Sequence, residues 1–158
     1  MNTNAKYGQL IIRHIQNEEH LNSIRDFLNS VTVFYPDFIN WWDNKVVGDV
    51  ERHIVCVFNS ADVVLGIMVL KNKTEKKIST LYVLPEYQRQ HIGSVLVEYA
   101  IEVLGTTTPV ITVAEPLMPS FQHLLSKYNF TLTSKVPDLY KDGVVEFIFN
   151  EKENDRVD

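Results

Sequence analysis

The chain has 158 residues, a length that predicts a single domain, and its 45% hydrophobic and 22% charged residues supply one apolar core without disulfide or structural-metal support. The lone cysteine, Cys56, excludes both an internal disulfide and a cysteine-based zinc cluster. A net charge of −5 argues against a nucleic-acid surface and favours a cationic partner such as an amine.

Gln9 to Ile15 is a short apolar run with β-branched residues and predicts a first strand. Asn17 offers an N-cap, Glu18 and Glu19 suit the first turn, and Leu21, Ile24, Leu28 and Val31 follow at helical spacing. Pro36 opens a second predicted helix, running through Phe38, Ile39, Trp41 and Trp42 to about Val47, with Gly48 to close it. Strands follow at His53–Phe58 and Val63–Lys71, joined by Asn59-Ser60-Ala61-Asp62, and another runs from Lys77 to Leu84, where Pro85 stops it. A third helix spans Gly93 to Leu104. Its only strongly polar positions after Ser94 are Glu98 and Glu102, so most of its circumference should be buried. Val110–Ala114 reads as a buried strand. Phe121, Leu124, Leu125 and Tyr128 mark a fourth helix, and the strands Phe130–Val136 and Val144–Phe149 turn at Asp142-Gly143. This order predicts an α/β (α+β) fold with a central mixed sheet of about seven strands flanked by four helices. The ends, 1–6 and 151–158, are polar and predicted to fray. The polar N-terminus and the absence of any apolar run near 20 residues predict a cytoplasmic protein with no membrane partner.

The stretch Leu81-Tyr82-Val83-Leu84-Pro85-Glu86-Tyr87-Gln88-Arg89-Gln90-His91-Ile92-Gly93-Ser94 carries the chemistry. A strand ends at proline, a loop follows, and a helix opens at glycine. A helix start presents N–H groups and about half a positive charge, which makes it a natural phosphate cradle. Arg89 could add a side-chain contact to the same anion. Taken alone, Gly93 equally suits a tight strand-to-helix turn. No metal site is expected, since His14, His20, His53, His91 and His123 share no ligand spacing.

The segment resembles the acyl-CoA loop of the GCN5-related N-acetyltransferase (GNAT) family, Gln/Arg-x-x-Gly-x-Gly/Ala after a strand ending in Val-x-Pro. Val83-Leu84-Pro85, then Gln88, Ile92, Gly93 and Ser94, carry the match, and the order of elements from Gln9 to Phe149 is similar to that family. His91 stands where the family has its first glycine. It either contacts a phosphate or points to solvent and offers only its N–H.

The resemblance implies acetyl-CoA as co-substrate, bound by Leu81, Val83, Gln88, Arg89, Gln90, His91, Ile92, Gly93 and Ser94. It implies that a thioester lies where the strands Lys77–Leu84 and Val110–Ala114 splay, and that a neutral primary amine attacks it directly. Two proton-handling groups are then expected. Glu75 is the candidate base if its strand extends back to it, sharing a face with Lys77, Ser79 and Leu81; otherwise it belongs to a solvated charged hairpin. Glu115 is a second candidate. The family's acid is a tyrosine in a Tyr-Glu-Lys-Leu-Gly-Phe-like run, whereas this chain reads Leu125-Ser126-Lys127-Tyr128-Asn129-Phe130. Leucine has no proton to give; Ser126 and Tyr128 are the nearby hydroxyls, and Tyr128 is taken as the candidate acid although it also fits the helix's apolar stripe, with water as the other route to protonate the thiolate. Met118 replaces a frequent asparagine.

Acceptor choice is expected from the aromatics Phe34, Tyr35, Phe38, Trp41, Trp42 and Tyr140, by cation–π contact, or these are buried faces of their elements. The acceptor class is a small-molecule amine or a protein lysine, with room for a homodimer. The alternative is a non-catalytic acyl-CoA-binding or regulatory module. A toxin-like acetylation of aminoacyl-tRNA is disfavoured by the acidic balance.

Overall fold

The structure is a computed structural model that describes residues 9–16, 18–88 and 91–153; the Asn17 cap and the predicted tails at 1–6 and 154–158 lie outside the described residues. Glu151, where the polar C-terminal stretch begins, is half-buried and its N–H donates to Thr133 Oγ1 at 3.3 Å. Two compact units make up the chain: residues 1–15 with 51–109, and residues 16–50 with 110–158.

The first unit is an antiparallel meander, β1 (Ile11–His14), β2 (Arg52–Phe58), β3 (Val64–Asn72) and β4 (Lys76–Val83), followed by a helix, α3 (Ile92–Leu104). Val55, Cys56 and Val57, and Ile67 to Leu70, are fully buried. That is why β2 and β3 read as continuous apolar runs rather than alternating ones. The helix α3 covers the face that carries Gly66, and its Ile92, Val95, Leu96, Val97, Ala100 and Leu104 are all buried. Its β-branched valines cost only a few tenths of a kcal/mol each in helix propensity. Burying each adds about 1.5–3 kcal/mol. Burial wins, and Gly105, at φ 67°, ends the helix in the left-handed region.

A bulge at Ser79 changes how β4 is read. Val69 pairs with Thr80 and Leu70 with Ile78, so the two-residue alternation reverses phase between them. Lys76, Ile78, Leu81 and Val83 therefore share one face, while Lys77, Thr80 and Tyr82 share the other with Lys71. The expected common face of Glu75 and Leu81 is corrected by that inserted residue. The solvated charged hairpin is corrected too. Glu75 is only 4% exposed, and its Oε1 accepts a hydrogen bond from Lys71 Nζ at 2.6 Å.

The second unit opens with α1 (Glu18–Phe27), where Leu21 and Ile24 are buried, and continues as a 3-10 turn over Leu28–Val33. The predicted second helix is shorter than expected. A single α turn, α2 (Phe38–Trp41), passes into a π turn (Trp42–Val46), with Val47 N–H reaching Trp42 O at 3.1 Å. Phe38, Trp42 and Val46 recur every four residues and are buried, while Trp41 stays half-buried. So three full-length helices, not four, are described. The rest is β5 (Val110–Ala114), α4 (Met118–Lys127), β6 (Leu132–Pro137) and β7 (Val145–Phe149), with β7 antiparallel to both β5 and β6. The β6–β7 connection is a longer loop, 138–144, rather than a tight Asp142-Gly143 turn. Asp138 closes it by accepting Gly143 N–H at 2.6 Å on Oδ1.

Candidate active site

Leu81, Val83, Gln88, His91, Ile92, Gly93 and Ser94 all fall in the first unit, along the end of β4 and the start of α3. Arg89 and Gln90 lie outside the described residues. The loop is built stepwise. Pro85 starts a 3-10 turn over Pro85–Tyr87, with Tyr87 N–H donating to Leu84 O at 2.9 Å, and the Gln88 side chain folds back to donate to Val83 O at 3.2 Å.

His91 then takes the left-handed conformation, φ 66° and ψ 7°, and Ile92 begins the helix. This is the conformation that a glycine at its motif position permits freely and histidine tolerates. The His91 side chain is exposed and makes no capping hydrogen bond, and the first turn carries no acidic residue. The first intrahelical bond is Val95 N–H to His91 O at 3.0 Å. The N–H groups that precede it therefore point out of the helix start with the dipole's positive end, and the first turn itself carries no acidic residue. An anion of phosphate type fits such a start.

One residue that places this cradle escaped the sequence reading. A Cβ at Gly66 would come within 3.2 Å of Ile92 Cγ2 and of Tyr82 O, and 3.4 Å of Leu96 Cδ1. Glycine there lets the first turn of α3 lie against β3. An isolated glycine inside the apolar run Val63–Lys71 was the available signal.

The proton-handling candidates are divided between the two units, Glu75 in the first and Glu115 and Tyr128 in the second. Glu75 precedes β4, six residues from Leu81, which at about 3.3 Å per residue is roughly 20 Å of strand. Tyr128 belongs to the second unit, half-buried at the C-terminal end of α4, with Lys127 Nζ 5.4 Å from its ring centre. Leu125 is buried there. Asn129 takes φ 58° where the family run has glycine, and Phe130 N–H closes the helix on Leu125 O at 2.9 Å. Glu115 is exposed at the end of β5. Cys56 is fully buried, which pushes its thiol up to about 12.

The second unit holds a polar pair the sequence reading missed. Glu146, fully buried on β7, accepts a hydrogen bond on Oε1 from Tyr35 Oη at 3.3 Å. Val145-Glu146-Phe147-Ile148 alternates, and that period places Glu146 with the buried Ile148. The signal was there. Among the described residues no cluster of three or more His, Cys, Asp and Glu could hold a metal, and no helix is long and apolar enough to cross a membrane.

The acetyltransferase (GNAT) family model matches residues 12–120, and the chain belongs to that family of N-acetyltransferases. No curated protein matches the sequence. Among solved structures, a GNAT-family protein from Desulfovibrio desulfuricans is similar with TM-score 0.66 and 14% identity, over 89% of this chain and 96% of that one. Spermidine N-acetyltransferase SpeG from Vibrio cholerae, in complex with CoA and spermine, is similar with TM-score 0.64 and 14% identity, over 90% and 96%. A nourseothricin acetyltransferase gives 0.57 and 20%, over 66% and 68%. These likenesses show the fold, an α/β class built on a mixed seven-stranded sheet.

Proposed function

We propose that this chain, acting as a single cytoplasmic acetyltransferase domain, transfers the acetyl group of acetyl-CoA to a primary amine by direct attack. The observation that carries the reading is the start of α3, entered through a left-handed His91 with no capping side chain and no acidic first-turn residue. Gln88, Arg89, Gln90, His91, Ile92, Gly93 and Ser94 are assigned to the CoA phosphates, and backbone groups at Leu81 and Val83 to the pantetheine arm. The acceptor is a small-molecule amine or a protein lysine, and the CoA–spermine complex of the Vibrio cholerae enzyme supports testing polyamines first.

Glu75 enters this reading as base and Tyr128 as acid. The Lys71 pair and the length of strand before Leu81 weigh against direct transfer by Glu75. A kcat/KM profile against pH decides this, since the base's limb disappears in Glu75→Gln if the assignment holds. Buried Leu125, which has no proton to give, favours a second reading as a non-catalytic acyl-CoA-binding module.

The deciding experiment is CoA addition followed by thiol release from acetyl-CoA across an amine panel. Ligand at about 100 times its Kd adds roughly 2.7 kcal/mol of stability. No melting shift at millimolar CoA would remove both readings. A shift without thiol release selects the binding module.

A further inference from the structure

Three side chains of the first unit meet where β1 forms the edge of the sheet. His14 pairs with Val55 in the β1–β2 register, and His53 stands two residues before Val55 on β2, so the two histidines are diagonal neighbours on one face. Their rings lie 5.8 Å apart between centroids, with planes at 85°. Tyr99 of α3 completes the group, its hydroxyl hydrogen-bonded to His14 Nε2 at 2.5 Å and its ring 5.4 Å from that of His14. His14 is exposed while His53 and Tyr99 are half-buried, so solvent reaches the group. The histidines are far apart in sequence, and only the β1–β2 pairing supplies a ligand pattern that chain spacing does not show.

Neutral imidazoles are favoured donors to borderline divalent metals. Two of them on one tetrahedral Zn²⁺, each at about 2.0–2.1 Å, bring their ring centroids to about 5 Å. Rings at 5.8 Å reach that spacing by a small side-chain rotation. The Tyr99 bond engages one nitrogen of His14 and leaves Nδ1. With Nε2–H donating to the phenol oxygen, the Nδ1 lone pair is available to a metal, and Tyr99 orients the ring as outer-shell partners do. Burial, then the neighbouring His53, lowers the His14 pKa, so this ring is in its coordinating, neutral form near pH 7. Burial, then Glu102, raises the Tyr99 pKa and keeps the phenol protonated, while Glu102 brings a carboxylate one turn along α3, a charge that favours a cation here.

We propose that His14 and His53 bind one divalent transition metal of the Zn²⁺ class, with water completing its shell and Tyr99 as the positioning residue that orients His14. The metal would tie the edge strand β1 to β2. The site is independent of the acetyl-transfer reading and stands whether or not that reading holds.

The test is calorimetric titration of Zn²⁺ into the full chain, free of any affinity tag, in a non-chelating buffer at pH 7.5, with Co²⁺ as the spectroscopic probe. One Zn²⁺ should bind per chain, and Co²⁺ should show the visible bands of a nitrogen-ligated ion. Zn²⁺ affinity should fall at least tenfold in His14→Gln and in His53→Gln, compared with the parent at equal circular dichroism. His14→Gln changes an exposed side chain, so it decides the matter even where His53→Gln folds poorly. Tyr99→Phe should weaken Zn²⁺ by about tenfold and shift the Co²⁺ bands, a signature that loss of packing alone would not produce. His123→Gln, at an exposed histidine of α4, should change neither. Saturating Zn²⁺ should raise the melting temperature of the parent by several degrees and leave that of His14→Gln in place. No saturable Zn²⁺ binding up to millimolar concentration, or affinity unchanged in His14→Gln, overturns the proposal. Binding that depends on His123 instead places the metal elsewhere and overturns it as well.

Discussion

At His91 two small energies oppose each other. A non-glycine residue in the left-handed region costs about 1–2 kcal/mol, while glycine loses roughly 0.5–1 kcal/mol through its freedom in the unfolded chain. The exposed His91 ring makes no capping bond that would shift the balance. His91→Gly is therefore expected to leave the melting temperature unchanged or raise it by a few degrees, with CoA affinity kept within about twofold. Calorimetry and a CoA titration read both quantities. A tenfold weaker CoA complex would instead assign the imidazole to a phosphate.

Two elements set where the anion cradle stands. The helix α3 reaches β3 only because Gly66 has no side chain, and a methyl there meets Ile92, Leu96 and the Tyr82 carbonyl at once. One of the three is backbone, so the helix must give. Gly66→Val should destabilise the first unit by about 1–3 kcal/mol, the ordinary cost of overpacking, and weaken CoA binding well beyond that of a distant control of equal stability. The other end of the same packing is pH-sensitive. His14 Nε2 of β1 and the Tyr99 hydroxyl of α3 are hydrogen-bonded at 2.5 Å, and the His53 ring lies 5.8 Å away edge-on. Burial, then the neighbouring His53, lowers the His14 pKa from its ordinary 6.5. The unfolded chain thus takes up a proton first as pH falls below about 6.5, and stability is lost from there downward toward the lowered folded value. The melting temperature should drop between pH 7.5 and 5.5, and His14→Gln should show a smaller drop.

For the molecule as a whole, Cys56 is a built-in reporter. Its thiol is fully buried on β2 and, pushed up to about 12, carries almost no thiolate near neutral pH. A disulfide reagent should leave it unlabelled in the native state and label it fully in denaturant, at a rate that follows opening of the first unit. Rapid native labelling would mean that β2 opens locally. The same inertness keeps protein background out of a thiol-release assay.

Strong periodicity made most elements legible: the buried runs of β2 and β3, the apolar circumference of α3 and the Phe121–Tyr128 stripe all follow from spacing and burial alone. The loop from Val83 to Ser94 was legible as well, because an anion cradle needs a strand end, a turn and a helix start in immediate succession. The tertiary structure decided what spacing cannot encode. A single inserted residue at Ser79 reversed the face of β4 and removed Glu75 from the side of Leu81, since register depends on the partner strand. Glu75 proved buried because Lys71, four residues away across the hairpin, supplies its countercharge. The segment after Trp41 widened into a π turn over Trp42–Val46, with Phe38, Trp42 and Val46 all buried, where helical spacing alone predicted an ordinary helix. Tyr35 and Glu146, 111 residues apart, met only through folding, and long-range pairing of polar side chains leaves no trace in local pattern.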